Sequence, residues 1–371
     1  SSGFRIEMTT THLQQIISSV LPAGLGARSD ATPNSVAKHC GTNGWQWPPL
    51  CCTSPDTLTS EAHVELMQGD LFGGGFWDEQ TLMPNPREAT SAVVTEPHVY
   101  VFGGHDGIKQ VSNSTDRFDI VSETWETMPR MTQRRWGSVA AVVRGKIYVF
   151  GGHNGSQYLN TCERFNIKTG EWEIMPPMRE RRCWAAASVA RGRIFVLGGV
   201  DGAQVHGSVA SFDPGCSDWE DMPPMEQPRQ SACAAMIAGR ICVCGGTDGN
   251  RWLASARMFD VDKNEWQVFP SMSYARAGAA AAVVRNTLHI CGGFNGREIL
   301  STTEAFDPDV GEWRLRSRMP RPRNMAPAVA VGEEIFIFGG SDGTEPLDMV
   351  ARYKVARNDL YVGESDIATV A

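Results

Sequence analysis

Short apolar runs broken by polar turns succeed one another along most of the chain, and one such run recurs six times. In Ile147–Gly155, IYVFGGHNG, the apolar residues enter a glycine pair and then a turn dipeptide. The same pattern returns as VYVFGGHDG (Val99–Gly107), IFVLGGVDG (Ile194–Gly202), ICVCGGTDG (Ile241–Gly249), LHICGGFNG (Leu288–Gly296) and IFIFGGSDG (Ile335–Gly343). The pairs are Gly103-Gly104, Gly151-Gly152, Gly198-Gly199, Gly245-Gly246, Gly292-Gly293 and Gly339-Gly340; one step is 48 residues and the other four are 47. A period this regular is the signature of a repeat architecture, in which each copy is one supersecondary unit.

Within one copy, the pattern predicts four strands. Ser138–Val143 is a short Ala/Val-rich run, compatible with a strand buried on both faces. The polar turn Arg144-Gly145-Lys146 leads to a second strand, Ile147–Phe150. The glycine pair removes side chains where backbones approach closely, and Asn154-Gly155 tolerates the positive φ of a tight turn. A third strand is expected at Cys162–Asn166, and a fourth opens at Trp172. One twisted four-stranded sheet cannot cover both its faces, but six packed radially can.

Other residues keep the same phase. Trp77, Trp125, Trp172, Trp219, Trp266 and Trp313 each stand 26 positions before the next glycine pair. Met83, Met131, Met178, Met225, Met272 and Met319 stand 20 before it, and Arg87, Arg135, Arg182, Arg229, Arg276 and Arg323 stand 16 before it. An aromatic marks each third strand: Phe118, Phe165, Phe212, Phe259, Phe306 and Tyr353. A solvated arginine has no reason to keep phase, so six in register point to a structural role, such as hydrogen bonds to loop carbonyls between blades.

At these residues the chain resembles the kelch-repeat family: double glycine after an apolar strand, [DN]G turn, third-strand aromatic, then the Trp–Met pair. The resemblance covers about residues 75–365 and looks most like the kelch domain of BTB-kelch (kelch-like) proteins. It implies an all-β fold, a six-bladed kelch β-propeller with four antiparallel strands per blade, preceded by a mostly irregular N-terminal segment, 1–70. The propeller is expected over 71–365, with units at about 84–131, 132–178, 179–225, 226–272, 273–319 and 320–365. Residues 75–83 are expected to close the ring. Phe76–Glu79 would supply the last blade's outer strand, because Trp77 keeps the tryptophan phase; the alternative is Asn358–Val362. In the N-terminal segment only His12–Leu21 has the spacing of a short amphipathic helix, and Trp45 and Trp47 fit a loose tail that docks one aromatic.

Composition narrows the function classes. Net charge is −8 with no basic tract, which argues against nucleic acid. No apolar run approaches the ~18 residues of a membrane span, so no membrane partner is expected. Cys244 and Cys291 fill a slot held by Phe or Leu in other copies and read as small buried hydrophobes. Free thiols of that kind point to a reducing compartment, hence a cytoplasmic location. Cys40, Cys51 and Cys52 beside His39 lack the spacing of a metal knuckle.

Positions that vary within a repeated loop are where specificity can sit. One loop set follows the phased arginine: Glu88-Ala89, Trp136-Gly137, Cys183-Trp184, Gln230-Ser231, Ala277-Gly278 and Asn324-Met325. The other follows the double glycine with His105, His153, Val200, Thr247, Phe294 or Ser341, and five further on Gln110, Tyr158, Val205, Trp252, Ile299 and Pro346. In peptide-capturing kelch domains these loops line the face around the central channel. The resemblance therefore implies a partner-binding face of Glu88, His105, Gln110, Trp136, His153, Tyr158, Cys183, Trp184, Gln230, Ser231, Thr247, Trp252, Phe294, Asn324 and Ser341. Peptide-binding relatives often carry small hydroxyl residues just after the arginine. Here Ser231 alone comes near that pattern, and Arg251 and Arg297 are the nearest bases, so a strongly acidic peptide is not the evident ligand.

The function expected is non-catalytic protein binding, as the substrate-recognition module of a cullin-type ubiquitin-ligase adaptor if a BTB domain lies upstream. The alternative is an actin or cytoskeletal scaffold. A galactose-oxidase-like copper enzyme is a remote third reading, since no two histidines stand at ligand spacing. No cofactor or metal is expected, and neither a phosphate loop nor a nucleophile elbow occurs.

Overall fold

The computed structural model describes residues 75–107 and 110–355. The N-terminal segment, with its helix at His12–Leu21, and the alternative closing strand at Asn358–Val362 lie outside them. None of the described residues is helical, so among them no helix is long and apolar enough to cross a membrane.

The chain enters through β1 (Phe76–Leu82) and then builds five complete antiparallel sheets in succession. The first holds β2 (Ser91–Thr95), β3 (His98–Phe102), β4 (Thr115–Asp119) and β5 (Thr124–Met128). The second holds β6 (Val139–Val143), β7 (Lys146–Phe150), β8 (Cys162–Asn166) and β9 (Glu171–Met175). The third holds β10 (Ala186–Ala190), β11 (Arg193–Leu197), β12 (Val209–Asp213) and β13 (Asp218–Met222). The fourth holds β14 (Cys233–Ile237), β15 (Arg240–Cys244), β16 (Ala256–Asp260) and β17 (Glu265–Phe269). The fifth holds β18 (Ala280–Val284), β19 (Thr287–Cys291), β20 (Thr303–Asp307) and β21 (Glu312–Arg316). The sixth joins β22 (Ala328–Val331), β23 (Glu334–Phe338) and β24 (Met349–Lys354) to β1, in the order β1-β24-β23-β22.

The first strands lie side by side around a ring: β2, β6, β10, β14, β18, β22 and back to β2. They line a central cavity of about 200 Å³. Six strands converge there, which is why their residues are small, as in AASVA of β10 and AAAVV of β18. These strands are not buried on both faces as the apolar run suggests; β10 alternates buried and half-buried because one face looks into the channel. The second strands do lose the alternation. In β7 the four residues Ile147–Phe150 are all buried, since a neighbouring sheet packs on each side.

Aromatic rings carry each sheet-to-sheet contact. Phe102 meets Trp172 edge-on at 5.8 Å, Phe150 meets Trp219 at 5.5 Å, and Phe338 of the last sheet meets Trp125 of the first at 5.9 Å. Each such edge contact contributes about 0.5–1.5 kcal/mol beyond its area. Tryptophan indoles add a second link: Trp172, Trp219, Trp266 and Trp313 donate to the carbonyls of Pro129, Pro176, Pro223 and Pro270 at 2.8–3.0 Å. Trp77 does the same across the junction, donating to Ser317 O at 3.0 Å while its ring lies 4.9 Å from Tyr353. The N-terminal strand thus supplies the outer edge of the last sheet, with Trp77 opposite Tyr353.

Candidate functional site

The six phased arginines hold up the loop face from below. All are buried, and Arg135 is wholly inaccessible. Its Nη1 donates to the carbonyls of Gly151 and Thr161 at 2.7 and 2.9 Å, and its guanidinium pairs with Glu163 at 2.9 Å. Arg182, Arg229, Arg276 and Arg323 make the same bond to Gly198, Gly245, Gly292 and Gly339, and Arg87 makes it to Gly103. The expectation that these side chains bridge blades needs correcting. Each guanidinium serves its own sheet, and it is the arginine's carbonyl that reaches the neighbour, accepting from the second glycine there, as Arg182 O does from Gly152 N at 2.7 Å. Close approach explains the glycines. A Cβ on Gly151 would stand 2.2 Å from Arg182 O, at a φ of +60°.

On this support the two loop sets meet. The residue after each arginine and the residue after each glycine pair exchange two backbone hydrogen bonds: Glu88 with His105, Trp136 with His153, Cys183 with Val200, Gln230 with Thr247, Ala277 with Phe294, Asn324 with Ser341. The second post-glycine position joins as a third row, at Tyr158, Val205, Trp252, Ile299 and Pro346. In the first sheet that place belongs to Val111 and not to Gln110, because the one 48-residue repeat carries its extra residue in this loop. Gln110 is instead exposed at the turn, where its N–H donates to Asp106 Oδ1.

A feature that repeat comparison passes over encircles the channel mouth. Ala89, Gly137, Trp184, Ser231, Gly278 and Met325 all have φ between +52° and +66°. Each N–H donates to the carbonyl of its predecessor in the ring, Ala89 to Met325, Gly137 to Ala89 and so on, at 2.7–2.9 Å. Six residues in the left-handed region therefore form a closed girdle of backbone hydrogen bonds that links all six sheets. Glycine at two of the six positions was the only sequence signal for it.

The side chains above the girdle sort themselves by burial. Trp136 lies at the centre of an aromatic arc, with ring centroids 5.6 Å from His105, 6.0 Å from His153 and 5.2 Å from Trp184, and Tyr158 is 4.8 Å from His153. These five rings are half-buried, as are Glu88, Gln230 and Trp252. The indole N–H groups of Trp184 and Trp252, Gln230 Oε1 and Asn324 Oδ1 have no hydrogen-bond partner among the described residues. Cys183, Phe294, Thr247, Ser231, Asn324 and Ser341 are buried, so the expectation that they front the face gives way to a supporting role beneath it. The Cys183 thiol points toward Trp136 O at 3.6 Å, Phe294 packs edge-on against Trp252 at 5.6 Å, and Thr247 and Ser341 hydroxyls cap the turns at Gly249 and Gly343.

Electrostatics follow burial. Desolvation raises the Glu88 carboxyl above its usual range, against the opposing pull of His105 and a hydrogen bond to Ser341. Burial likewise lowers His153, raises Tyr158 and pushes the Cys183 thiol up. His206 escaped the sequence reading altogether. It is buried where four other repeats place Leu159, Leu253, Leu300 and Leu347, with Asp201 at 3.3 Å and Glu180 at 3.8 Å on opposite sides of its ring.

Six four-stranded sheets in a ring, each with a double-glycine loop locked by a buried arginine, define a kelch-type β-propeller. The chain belongs to the family described as the KLHDC2/KLHL20/DRC7 Kelch-repeats domain, whose model matches residues 77–246 and 223–340. Among solved structures it is similar to one titled "Structure of YjhT", with a TM-score of 0.65 and 16% identity over 73% of this chain and 95% of that one. At that identity the likeness is one of fold. No curated protein matches the chain.

Proposed function

We propose that this propeller is a non-catalytic protein-binding module that captures a peptide segment on its double-glycine loop face. The observation that carries this is the contiguous arc of half-buried rings, His105, Trp136, His153, Tyr158 and Trp184, placed on loops whose residues differ from repeat to repeat. Large aromatics with scattered polar atoms are what interface hot spots contain. The Trp184 indole N–H within this arc is buried and has no hydrogen-bond partner among the described residues. Membership of a kelch-repeat family supports the same reading, and the finer role proposed is substrate recognition for a cullin-type ubiquitin ligase in the cytoplasm, through a BTB partner domain.

The test is affinity purification and mass spectrometry with the full chain and a Trp136→Ala/Trp184→Ala/Trp252→Ala variant whose melting point is checked in parallel. At least tenfold lower recovery of the main partners, with the fold retained, is expected. Equal recovery would overturn the loop-face reading. Cullin subunits among the partners support the adaptor role; actin in their place supports a cytoskeletal scaffold.

A further inference from the structure

The far ends of the strands, away from the double-glycine loops, carry a second repeated device with one irregular copy. The residue that opens each second strand faces the residue that closes each third strand, as His98 faces Asp119 and Lys146 faces Asn166. In three sheets this is a base–aspartate pair: His98 with Asp119 at 3.3 Å, Arg193 with Asp213 at 3.7 Å and Arg240 with Asp260 at 3.2 Å. The sixth sheet reverses the sign, with Glu334 opposite Lys354. In the fifth sheet Thr287 takes the base's place and Asp307 keeps the acid's. The Asp307 carboxylate accepts only the Asp309 N–H, at 2.9 Å, and no cation pairs with it among the described residues.

A cavity of about 460 Å³ between the fifth and sixth sheets opens where that base is missing. Thr287, His289, Asp307, Asp309, Glu333 and Arg285 stand in its wall. Three carboxylates and one arginine therefore line it, and the Arg285 Nε is already engaged by Glu333 at 2.9 Å. His289 is 1% exposed, and neither ring nitrogen has a hydrogen-bond partner among the described residues. The first, second, third and sixth sheets fill its position with Tyr100, Tyr148, Phe195 and Phe336 and the fourth has Cys242; beside those four rings the shorter imidazole leaves further space. A buried polar group without a partner is destabilising, and a donor entering the cavity would relieve it. Burial and the nearby Arg316 push His289 down to about 3, so at neutral pH it is uncharged and keeps an acceptor nitrogen.

We propose that this cavity binds a guanidinium or primary ammonium group, such as an arginine or lysine side chain, which pairs with Asp307 and donates a hydrogen bond to His289. The cation stands in for the arginine that the third and fourth sheets supply from within. Its source is a separate basic ligand. Because the cavity is at the opposite ends of the strands from the aromatic arc, its test is independent of the peptide-capture reading.

The test is calorimetric titration of the full chain with N-acetyl-arginine methylamide and with N-acetyl-citrulline methylamide, its neutral isostere. Binding of the arginine compound at least tenfold tighter than the citrulline compound is expected, with a loss of at least tenfold in Asp307→Asn. Thr287→Arg, which restores the internal base, is expected to abolish binding and raise the melting point. Equal affinity for both compounds, full binding by Thr287→Arg, or no binding by the unmodified chain would overturn the proposal.

Discussion

At the scale of single residues, stability depends on arginines placed where water cannot reach them. Arg276 and Glu304 are both fully buried, and Glu304 also accepts the N–H groups of Ser273 and Tyr274 at 2.7 and 3.2 Å. Removing one partner of a buried ion pair typically costs about 3–5 kcal/mol, because the other charge stays behind. Arg276→Met is therefore expected to lower the unfolding free energy by that amount in urea titrations. The fourth sheet offers a control. There Arg257 stands where the fifth has Glu304, and among the described residues the Arg229 guanidinium bonds to Gly245 O, Ser255 O and Ser255 Oγ and to no carboxylate. Arg229→Met strands no carboxylate, so a smaller loss of about 1–3 kcal/mol is expected. Equal losses would mean that the Glu304 pairing contributes nothing.

At the scale of elements, β1 is the strand most separated in sequence from its sheet. Arg352 grips Asp78 through two bonds of 3.1 and 2.9 Å, and Lys354 Nζ lies 3.4 Å away. The Arg352 hydrogen bond holds the Asp78 carboxyl below its ordinary value of 3.8. A depressed acid stabilises the fold fully above its unfolded value and loses that contribution as pH falls through the folded one. Urea midpoints measured from about pH 6 down to about pH 2.5 are thus expected to fall less steeply, below about pH 4, in Asp78→Asn than in the parent. Identical acid limbs in the two proteins would show that the pair makes no contribution to closing the sheet.

At the scale of the whole molecule, the ring closes because its two ends share one sheet, in which β1 covers the edge that β24 would otherwise expose. Deleting residues 75–83 removes β1, the Trp77 indole bond to Ser317 and the Asp78 pair together. A loss of about 3 kcal/mol or more in unfolding free energy is expected, on the scale of one excised buried aromatic, and an unchanged urea midpoint would refute the role of β1 in closure. The architecture was legible in the sequence because every copy obeys the same local rules: glycine where a Cβ would strike a carbonyl, small residues where strands converge, Trp and Arg at constant phase. The candidate face was legible only in outline. One inserted residue moved Val111 into the place that counting assigned to Gln110, and Cys183 and Phe294 proved to lie under the face, since burial depends on what a neighbouring sheet covers. The sequence by itself determined the number of sheets, their strands and the residues that lock them, all of which follow from periodic, short-range chemistry. Only the tertiary structure decided which loop residues meet solvent, how the left-handed girdle joins all six sheets, and that one missing base opens a cavity against Asp307. Those outcomes depend on groups from neighbouring sheets being brought side by side, as Arg285 and Glu333 are across 48 residues of chain.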